Sequence, residues 1–577
     1  MNALRLSVPL PMALAALLVA ACSKAPDAER TAVAPPPAVA TTGPATIASS
    51  TPTPNLAATD AHAAAGIAWT YAATDAEVDG AFAMAKSQGK PVFVYWGAKW
   101  CPPCNQVKAT LFNRQDFIER TRAFVPVYVD GDSPGAQKIG ARFHVSGYPT
   151  MVLFSAQGQE VTRLPGEVEP VRYTQVMTLG MNAARPVKAV LADALAGGAS
   201  LSPSEWRLLA FYSWDTDQQL VAKGRLPSTL ATLAAACPAD QIEAATRLRL
   251  KALAAVDVKA HAKAGISTTT KADARPAVDA EAQAAVLTLL DDAVRAREQT
   301  DMLTAYPAEI VRALSEKATP ERARLLAGFD TALKRLEADT TLSRADRMQA
   351  LIAQVDLARI DEPEPVAGAT ARAAPALPAA LLTDVRDQVA RADREITDGY
   401  ERQAVITAAA YLLEYAGLGA ASDTLLKANL AKSHSPYYLM SELASNAKKR
   451  GDKAAALDWY RQAFEKSEGP ATRLQWGGSY IAALVELAPA DEAKIEQATV
   501  RLFAEAATQP DAFYERSGRS LARAGSRLQS WNQGGAHAAA FARLQAKLDT
   551  LCAAPGLAAT ERATCTGLLS PPAKASA

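Results

Sequence analysis

The stretch KPVFVYWGAKWCPPC at residues 90–104 decides the fold of the segment around it. Its PVFVYW run, residues 91–96, combines β-branched and aromatic side chains in a way typical of a buried strand. The residues that follow, NQVKATLF, continue as a predicted helix. Two cysteines, Cys101 and Cys104, therefore stand three residues apart where a strand is followed by a helix.

This cysteine pair is placed for thiol–disulfide exchange. At the start of a helix, free backbone N–H groups and the helix dipole favour the thiolate of Cys101, which is the nucleophilic form. Cys104 lies one turn further on and is positioned to resolve a mixed disulfide on Cys101. Half of a zinc site, an inert local disulfide and a chance occurrence remain as alternatives. No second CxxC or Cys/His pair stands at ligand spacing, which disfavours zinc.

The patterning around the motif predicts an α/β domain. Residues 74–89 predict a helix that ends at Gly89. The remaining predicted elements are strands at 91–96, 123–130, 150–154 and 160–164, and helices after Cys104 and at 133–143 and 170–184. The expected order is helix, strand, helix, strand, helix, two strands, helix.

The KPVFVYWGAKWCPPC stretch and GYPT at residues 147–150 together resemble the thioredoxin family. They are most similar to its periplasmic branch, which includes the C-terminal domain of the electron carrier DsbD. The resemblance covers about residues 67–186. It implies a thioredoxin fold, a central mixed sheet with flanking helices. It also implies a thiol–disulfide oxidoreductase in which Cys101 attacks and Cys104 resolves.

The same resemblance assigns substrate positioning to Trp100, Tyr148, Pro149 and Thr150. It implies that Pro149 follows a cis peptide bond and packs against the cysteine pair. The backbone of Tyr148 would then pair with an incoming substrate strand. An edge-strand proline is the alternative interpretation of Pro149.

Two positions depart from the family pattern. Tyr95 occupies the place of a buried acid six residues before Cys101, and Pro126 occupies the place of a lysine. The family's proton relay is therefore expected to be incomplete. Lys99 and Lys108 are nearby charged residues and are predicted to be solvated surface lysines. His144 is predicted to be a surface loop residue in the same way.

The N-terminus predicts export. Residues 1–21 combine Arg5 with a short apolar run, as signal peptides do. Val19-Ala20-Ala21-Cys22 resembles a bacterial lipobox, which implies lipidation of Cys22, and the next residue, Ser23, then favours the outer membrane. An ordinary signal peptidase site is the alternative. The Ala-, Pro- and Thr-rich residues 22–66 predict an extended tether.

After the predicted domain at 67–190, the chain predicts helices. Residues 200–400 form one α-helical region, and Pro/Ala-rich breaks at about 262–278 and 362–380 predict loops. Residues 401–570 form a second α-helical region. Within it, the segment 435–470 resembles a tetratricopeptide repeat. Gly417 lies 34 residues before Gly451, one repeat length, and a weaker third unit follows at 481–506. A generic bundle of helical hairpins is the alternative.

The other cysteines predict structural roles. Cys552 and Cys565 lie 13 residues apart around a Pro-Gly turn, and we expect a disulfide between them in an oxidising compartment. Cys237 lies in the apolar context LAAAC and is predicted to be a buried, inert thiol. A role for Cys237 in relaying electrons from Cys104 is the alternative.

Charge and composition narrow the classes of partner. Lys and Arg total 61 against 60 for Asp and Glu, a net charge of +1, which disfavours a nucleic-acid partner. We expect neither cofactor nor metal. The expected partners are protein thiols and disulfides, a redox protein that resets the CPPC pair, and the membrane through the lipid on Cys22. The predicted function is a lipid-anchored, periplasm-facing oxidoreductase. The alternative is a binding scaffold or chaperone-like adaptor with a structural disulfide.

Overall fold

The computed structural model describes residues 66–166, 169–214, 216–217, 219–222, 224–256, 280–362 and 377–570. The predicted signal peptide, Cys22 and the tether up to residue 65 lie outside the described residues. So do the first predicted Pro/Ala-rich break and residues 363–376 of the second.

A five-stranded mixed sheet forms the centre of the N-terminal domain. Its strands are β1 (Thr70–Tyr71), β2 (Val92–Gly97), β3 (Val125–Asp130), β4 (Thr150–Phe154) and β5 (Glu160–Leu164), in the order β1-β3-β2-β4-β5. Strand β2 runs parallel to β3 and antiparallel to β4. Strand β1 was not predicted, because two residues are too short to show a period-2 pattern. The four predicted strands are all present.

Strand β2 is buried on both faces, which explains its continuous apolar run. Phe93 and Tyr95 point into one core, while Val94 and Trp96 point into the core on the opposite face. Helices cover both sides of the sheet, as predicted for a mixed sheet with flanking helices. The strand ends at Gly97, from which the chain passes directly to the cysteine motif.

Five helices surround the sheet: α1 (Asp75–Gln88), α2 (Pro102–Val107), α3 (Gln115–Arg120), α4 (Ala136–Arg142) and α5 (Pro170–Met181). A π-helical turn, Lys108–Phe112, extends α2. Helix α1 begins with a capping box between Thr74 and Glu77 and ends at Gly89, whose φ of 62° is left-handed. These local signals explain why its predicted bounds agree with the structure.

A large all-helical region follows. Its helices are α6 (Val187–Leu195), α7 (Pro203–Ala210), α8 (Leu226–Ala236), α9 (Ile242–Ala255), α10 (Ala280–Asp291), α11 (Ala293–Glu298), α12 (Thr300–Ala305), α13 (Pro307–Leu314), α14 (Pro320–Ala338), α15 (Arg344–Ala358), α16 (Ala379–Glu395), α17 (Gly399–Tyr415), α18 (Gly419–Asn429), α19 (Pro436–Lys449), α20 (Lys453–Lys466), α21 (Pro470–Leu487), α22 (Glu492–Ala507), α23 (Glu515–Trp531), α24 (Ala538–Cys552) and α25 (Ala559–Gly567). None of the helices within the described ranges is long and apolar enough to cross a membrane.

The first helices of this region complete the core of the sheet domain. Phe211, Tyr212 and Leu248 are fully buried in the same apolar cluster as Met151 and Leu153 of β4. Most of residues 206–214 are buried in this way, although helix α7 ends at Ala210. The chain turns there because the Ser213 N–H donates to the Arg163 carbonyl of β5 at 3.1 Å.

Helical hairpins occupy the segment that resembles tetratricopeptide repeats. Helices α17 and α18 form one hairpin, and α19 and α20 form the next. Gly417 and Gly451 lie at the two turns with φ of 84° and 78°, which a residue with a Cβ rarely adopts. The third predicted unit, 481–506, overlaps α21 and α22. Assignment of these hairpins to the repeat family stays a prediction.

Candidate redox site

The Cys101–Cys104 pair lies at the N-terminus of α2. The two sulfurs are bonded, and the Cα atoms are 5.2 Å apart. Cys101 is the N-cap residue, and its sulfur accepts a hydrogen bond from the Cys104 backbone N–H at 3.2 Å. Pro102 and Pro103 fill the first helical positions, where a missing N–H removes no intrahelical bond. This arrangement favours negative charge on the sulfur of Cys101 once the disulfide is reduced.

The loop before β4 faces the cysteine pair. The Tyr148–Pro149 peptide bond is cis, and the Tyr148 carbonyl oxygen lies 3.6 Å from the sulfur of Cys101. Thr150, the first residue of β4, donates its hydroxyl to the Gly147 carbonyl at 2.7 Å. A Cβ at Gly131 would lie 2.4 Å from the Tyr148 ring, so the ring packs directly on that glycine. The structure therefore brings Tyr148, Pro149 and Thr150 together beside Cys101.

Trp100 contacts the helical region. Its ring stacks on Tyr438 of α19 at a centroid distance of 5.8 Å and meets Trp476 of α21 edge-on at 6.3 Å. The guanidinium of Arg516 on α23 lies 5.1 Å from the Trp100 ring centroid and 5.3 Å from that of Tyr148. The side chain predicted to position a substrate is thus in contact with three residues from the other end of the chain.

Both cysteines of the pair are buried in the structure. Cys101 is 3% exposed and Cys104 is fully buried. Helix α17 packs against α2, and Gln403 of α17 donates to the Trp100 carbonyl at 3.4 Å. A helix distant in sequence therefore lies against the segment that carries the cysteine pair.

Lys108 is also buried, contrary to the prediction of a surface lysine. It is 2% exposed, and its ammonium lies 5.5 Å from the ring centroid of Tyr128 and 5.3 Å from that of Tyr400. Tyr400 belongs to α17, so the face of α2 that appeared solvated is covered by a helix distant in sequence. Lys99 stays partly exposed and pairs with Glu468 at 3.1 Å. His144 is exposed, as predicted.

Tyr95, at the position of the family's buried acid, is fully buried. Its ring meets Phe112 edge-on at 5.0 Å and lies 5.1 Å from Tyr128. A Cβ at Gly97 would approach the Tyr95 hydroxyl to 2.3 Å, so the bulky side chain requires the glycine. A buried aromatic side chain therefore occupies the sequence position at which the family pattern has a carboxylate.

A buried polar cluster joins the domain to the C-terminal helices, and we call it the Arg516 cluster: Asp132, Gln137, Thr472, Asp511 and Arg516. Asp132 accepts hydrogen bonds from Arg516 Nη2 at 2.7 Å and from the Thr472 backbone and hydroxyl at 2.8 and 2.7 Å. Gln137 accepts from the Arg516 N–H at 2.9 Å, and its own N–H donates to Asp511 at 2.8 Å. Burial raises the pKa of Asp511. No local sequence pattern indicates these residues as partners, because the bonded positions lie more than 300 residues apart.

The same cluster reaches the loop beside the cysteines. Gln137 Nε2 donates to the Tyr148 hydroxyl at 3.0 Å and to the Gly131 carbonyl at 2.6 Å. Burial raises the pKa of Tyr148, so its hydroxyl stays neutral. The side chains of Asp132 and Arg516 are 12% and 10% exposed. The helical region therefore holds the loop next to Cys101 through shielded hydrogen bonds.

The remaining cysteines belong to other apolar clusters than the one that contains Cys101 and Cys104. Cys552 and Cys565 are bonded between α24 and α25, with Cα atoms 5.6 Å apart. Cys237 is a free, buried thiol, and burial raises its pKa to about 11, so it is a poor nucleophile. Across the parts of the chain that the structure describes, no three His, Cys, Asp or Glu side chains are grouped as metal ligands.

Comparisons with known proteins place this site in a recognised type of domain. Residues 78–179 match the family model described as a thioredoxin-like domain. The chain is 34% identical over 98 residues to the thiol:disulfide interchange protein DsbD of Klebsiella pneumoniae, covering 17% of this chain and 16% of that protein. It is 29% identical over 110 residues to thiol:disulfide interchange protein DsbD 1 of Pseudomonas aeruginosa, covering 18% of each.

A thioredoxin from Thermus thermophilus, solved in solution, is 28% identical, with a TM-score of 0.18, and the match covers 20% of this chain and 90% of that one. The chain spans only 16% of the length of the Klebsiella protein and 18% of that of the Pseudomonas protein. The matched segment contains both cysteines and the Tyr148–Pro149 loop. The chain therefore contains a thioredoxin-like domain, homologous to part of the DsbD thiol:disulfide interchange proteins and joined to a large all-helical region.

Proposed function

We propose that the protein is a periplasm-facing thiol–disulfide oxidoreductase whose redox centre is the Cys101–Cys104 pair. One observation carries the proposal: the pair caps α2 directly opposite the cis Tyr148–Pro149 bond, with the Tyr148 carbonyl 3.6 Å from Cys101. The N–H of Cys104, 3.2 Å from the Cys101 sulfur, stabilises a thiolate there. The similarity to DsbD supports the same chemistry.

Exchange with a client disulfide proceeds in two displacements. The Cys101 thiolate attacks one client sulfur, so that a mixed disulfide forms and the other client sulfur leaves as a thiolate. Cys104, deprotonated, then attacks the sulfur of Cys101, which releases the second client thiolate and forms the Cys101–Cys104 disulfide. Both client thiolates take protons from water. Two electrons pass to the client, and a separate redox protein returns the pair to the dithiol. Run in reverse, the same steps oxidise a client dithiol.

Substrate positioning falls to the residues around Cys101. The Tyr148 backbone offers a partner for an extended client strand, with Pro149 and Thr150 fixing the loop and Trp100 forming one wall. We assign client or partner recognition to the tetratricopeptide-like hairpins, because stacked helical pairs present extended surfaces. Lipidation of Cys22 would anchor the protein to the outer membrane, with residues 22–66 as the tether.

A binding scaffold is the second candidate function, and the burial of the pair favours it. Cys101 is 3% exposed and Cys104 is fully buried. Burial of this extent resembles that of a structural disulfide. The reduction potential separates the two functions. A value below about −300 mV supports a structural bridge, and a value between about −270 and −120 mV supports a catalytic pair.

Trapping in cells tests the proposed function. In a Cys104→Ser variant, the second displacement is blocked, so clients should accumulate as mixed disulfides on Cys101. A Cys101→Ser/Cys104→Ser double variant is the matched control. Client proteins bound to the first variant and absent from the second would support an oxidoreductase. If neither variant forms mixed disulfides and the reduction potential of the pair lies below about −300 mV, the result would support a binding scaffold.

A further inference from the structure

The helical region covers the surface through which a client would reach Cys101. Helices α19, α21 and α23, which we call the covering helices, contribute Tyr438, Trp476 and Arg516 to the contact with Trp100. Cys101 is only 3% exposed in this arrangement. A protein disulfide must bring its own sulfur into contact with the attacking one. With Cys101 3% exposed, its sulfur offers almost no surface for that contact while the covering helices are in place.

The contacts that hold the covering helices differ from those that hold α6–α9. Helices α6–α9 share a continuous apolar core with the sheet. The covering helices meet the domain instead through the Arg516 cluster and through aromatic rings that form a small separate cluster around Trp100. Hydrogen bonds and ion pairs exchange readily for bonds to water, whereas a core does not. The covering helices are therefore the part of the helical region suited to separate from the domain.

The Arg516 ion pair with Asp132 is the most shielded of the ionic contacts that hold the closed arrangement, since the Lys99–Glu468 pair is largely exposed. Its Nη2 bonds to Asp132 at 2.7 Å and to Thr472 at 3.1 Å, but its Nε and Nη1 are buried without a hydrogen-bond partner in the described residues. Unsatisfied buried donors favour an arrangement in which water reaches them. The charge of Asp132 offsets that cost in the closed state. Loss of this charge would leave a buried, unpaired guanidinium and shift the balance toward opening.

We propose that the covering helices are an autoinhibitory lid on the redox site, kept closed by the Asp132–Arg516 ion pair, and that protein clients react only after it opens. This proposal rests on the proposed function, because the lid regulates thiol–disulfide exchange at Cys101. In the closed state Tyr438, Trp476 and Arg516 occupy the space beside Trp100 and Tyr148 where a client strand would lie. Client binding and lid closure are then mutually exclusive.

The test uses the reduced full-length protein and two readouts. Alkylation of Cys101 by iodoacetamide at a fixed pH, followed by peptide mass spectrometry, reports access to its thiolate without requiring exchange with a disulfide. Reduction of insulin reports exchange with a protein disulfide. Asp132→Asn keeps the size of the side chain but removes its charge, and we expect both rates to rise by about tenfold or more because Arg516 loses its counter-charge. Asp79→Asn breaks a surface ion pair with Arg142 at 2.7 Å and should leave both rates unchanged.

A second variant weakens the lid without altering charge. Gly469 precedes α21 with a φ of 86°, and a Cβ there would lie 2.6 Å from Asp132, so Gly469→Ala should push the covering helix away and accelerate alkylation. Gly419→Ala is its control, because a Cβ at that position meets nothing within 4 Å. Unchanged alkylation in both Asp132→Asn and Gly469→Ala, with the proteins folded, would overturn the lid. Faster alkylation without insulin reduction in any variant would support the lid and contradict the proposed function.

Discussion

The ring of Trp100 stacks on Tyr438 at a centroid distance of 5.8 Å, although the two residues belong to opposite halves of the chain. One precedes the cysteine motif, and the other lies on helix α19 in the segment that resembles tetratricopeptide repeats. The redox site is therefore built by both regions. Residues of the helical region thus cover Trp100, the residue that directly precedes the buried Cys101.

The two cysteines should have different roles in exchange. Cys101 faces the Tyr148 loop and caps α2, whereas Cys104 is fully buried beneath it. We expect Cys104→Ser to form a stable mixed disulfide with a model peptide disulfide, and Cys101→Ser to form none. Non-reducing electrophoresis and mass spectrometry of the adduct measure this. A stable adduct on Cys104 in the Cys101→Ser variant would reverse the assignment of roles.

The Cys552–Cys565 disulfide should stabilise the C-terminal helices without affecting thiol–disulfide exchange at Cys101. It closes a loop with a sequence separation of 13, for which the loss of unfolded-state entropy is worth about 3 kcal/mol. In a Cys552→Ser/Cys565→Ser variant, hydrogen exchange should therefore become faster in α24 and α25. Insulin reduction by the variant is the control and should match that of the wild type. Unchanged hydrogen-exchange rates in α24 and α25 would show that side-chain packing alone stabilises these two helices.

Much of the domain follows from its sequence, because its signals are local. Strands β4 and β5 have the predicted bounds, since each short run and the turns that flank it lie within a few residues of one another. The position of the cysteine pair at a helix start followed from the Cys-Pro-Pro-Cys spacing in the same way. Strand β1, with two residues, carries too little pattern to be recognised.

The covered state of the site did not follow from the sequence. Lys108 was predicted to be solvated because lysine is rarely buried, yet Tyr400 and Tyr128 enclose it. The Asp132–Arg516 ion pair joins an ordinary loop aspartate to one of several arginines on an amphipathic helix. Neither residue differs locally from its neighbours. Only the packing of α23 on α4 brings the two together, and a single sequence holds no record of that packing.

Glu442 on α19 should make stability depend on pH. Burial raises its pKa from the ordinary 4.5 to about 7, with Glu414 adding to the rise and Lys449 opposing it. Because the folded chain then binds the proton more tightly than the unfolded chain, the contribution of Glu442 to the free energy of unfolding is fully present below pH 4.5 and is lost as pH rises from 4.5 through 7. One proton contributes a slope of at most about 1.4 kcal/mol per pH unit.

Urea unfolding across this pH range measures the effect of Glu442. In Glu442→Gln, the loss of stability between pH 4.5 and 7 should shrink, because the amide does not titrate. Glu119→Gln, a change at an exposed residue of α3, is the matched control and should keep the wild-type slope. A wild-type slope in Glu442→Gln would mean that another group carries the pH dependence.

The boundary of the autonomous unit should lie near residue 256 rather than residue 190. Phe211, Tyr212 and Leu248 are fully buried in the core that includes β4, and burial of each such side chain is worth about 1.5–3 kcal/mol. We therefore expect a fragment of residues 66–256 to unfold cooperatively in urea, and one of residues 66–190 to be much less stable. The longer fragment lacks the covering helices, so it should reduce insulin faster than the full-length protein does. A stable 66–190 fragment would contradict the shared core, and a 66–256 fragment that is folded but no faster than the full chain would contradict the role of the covering helices.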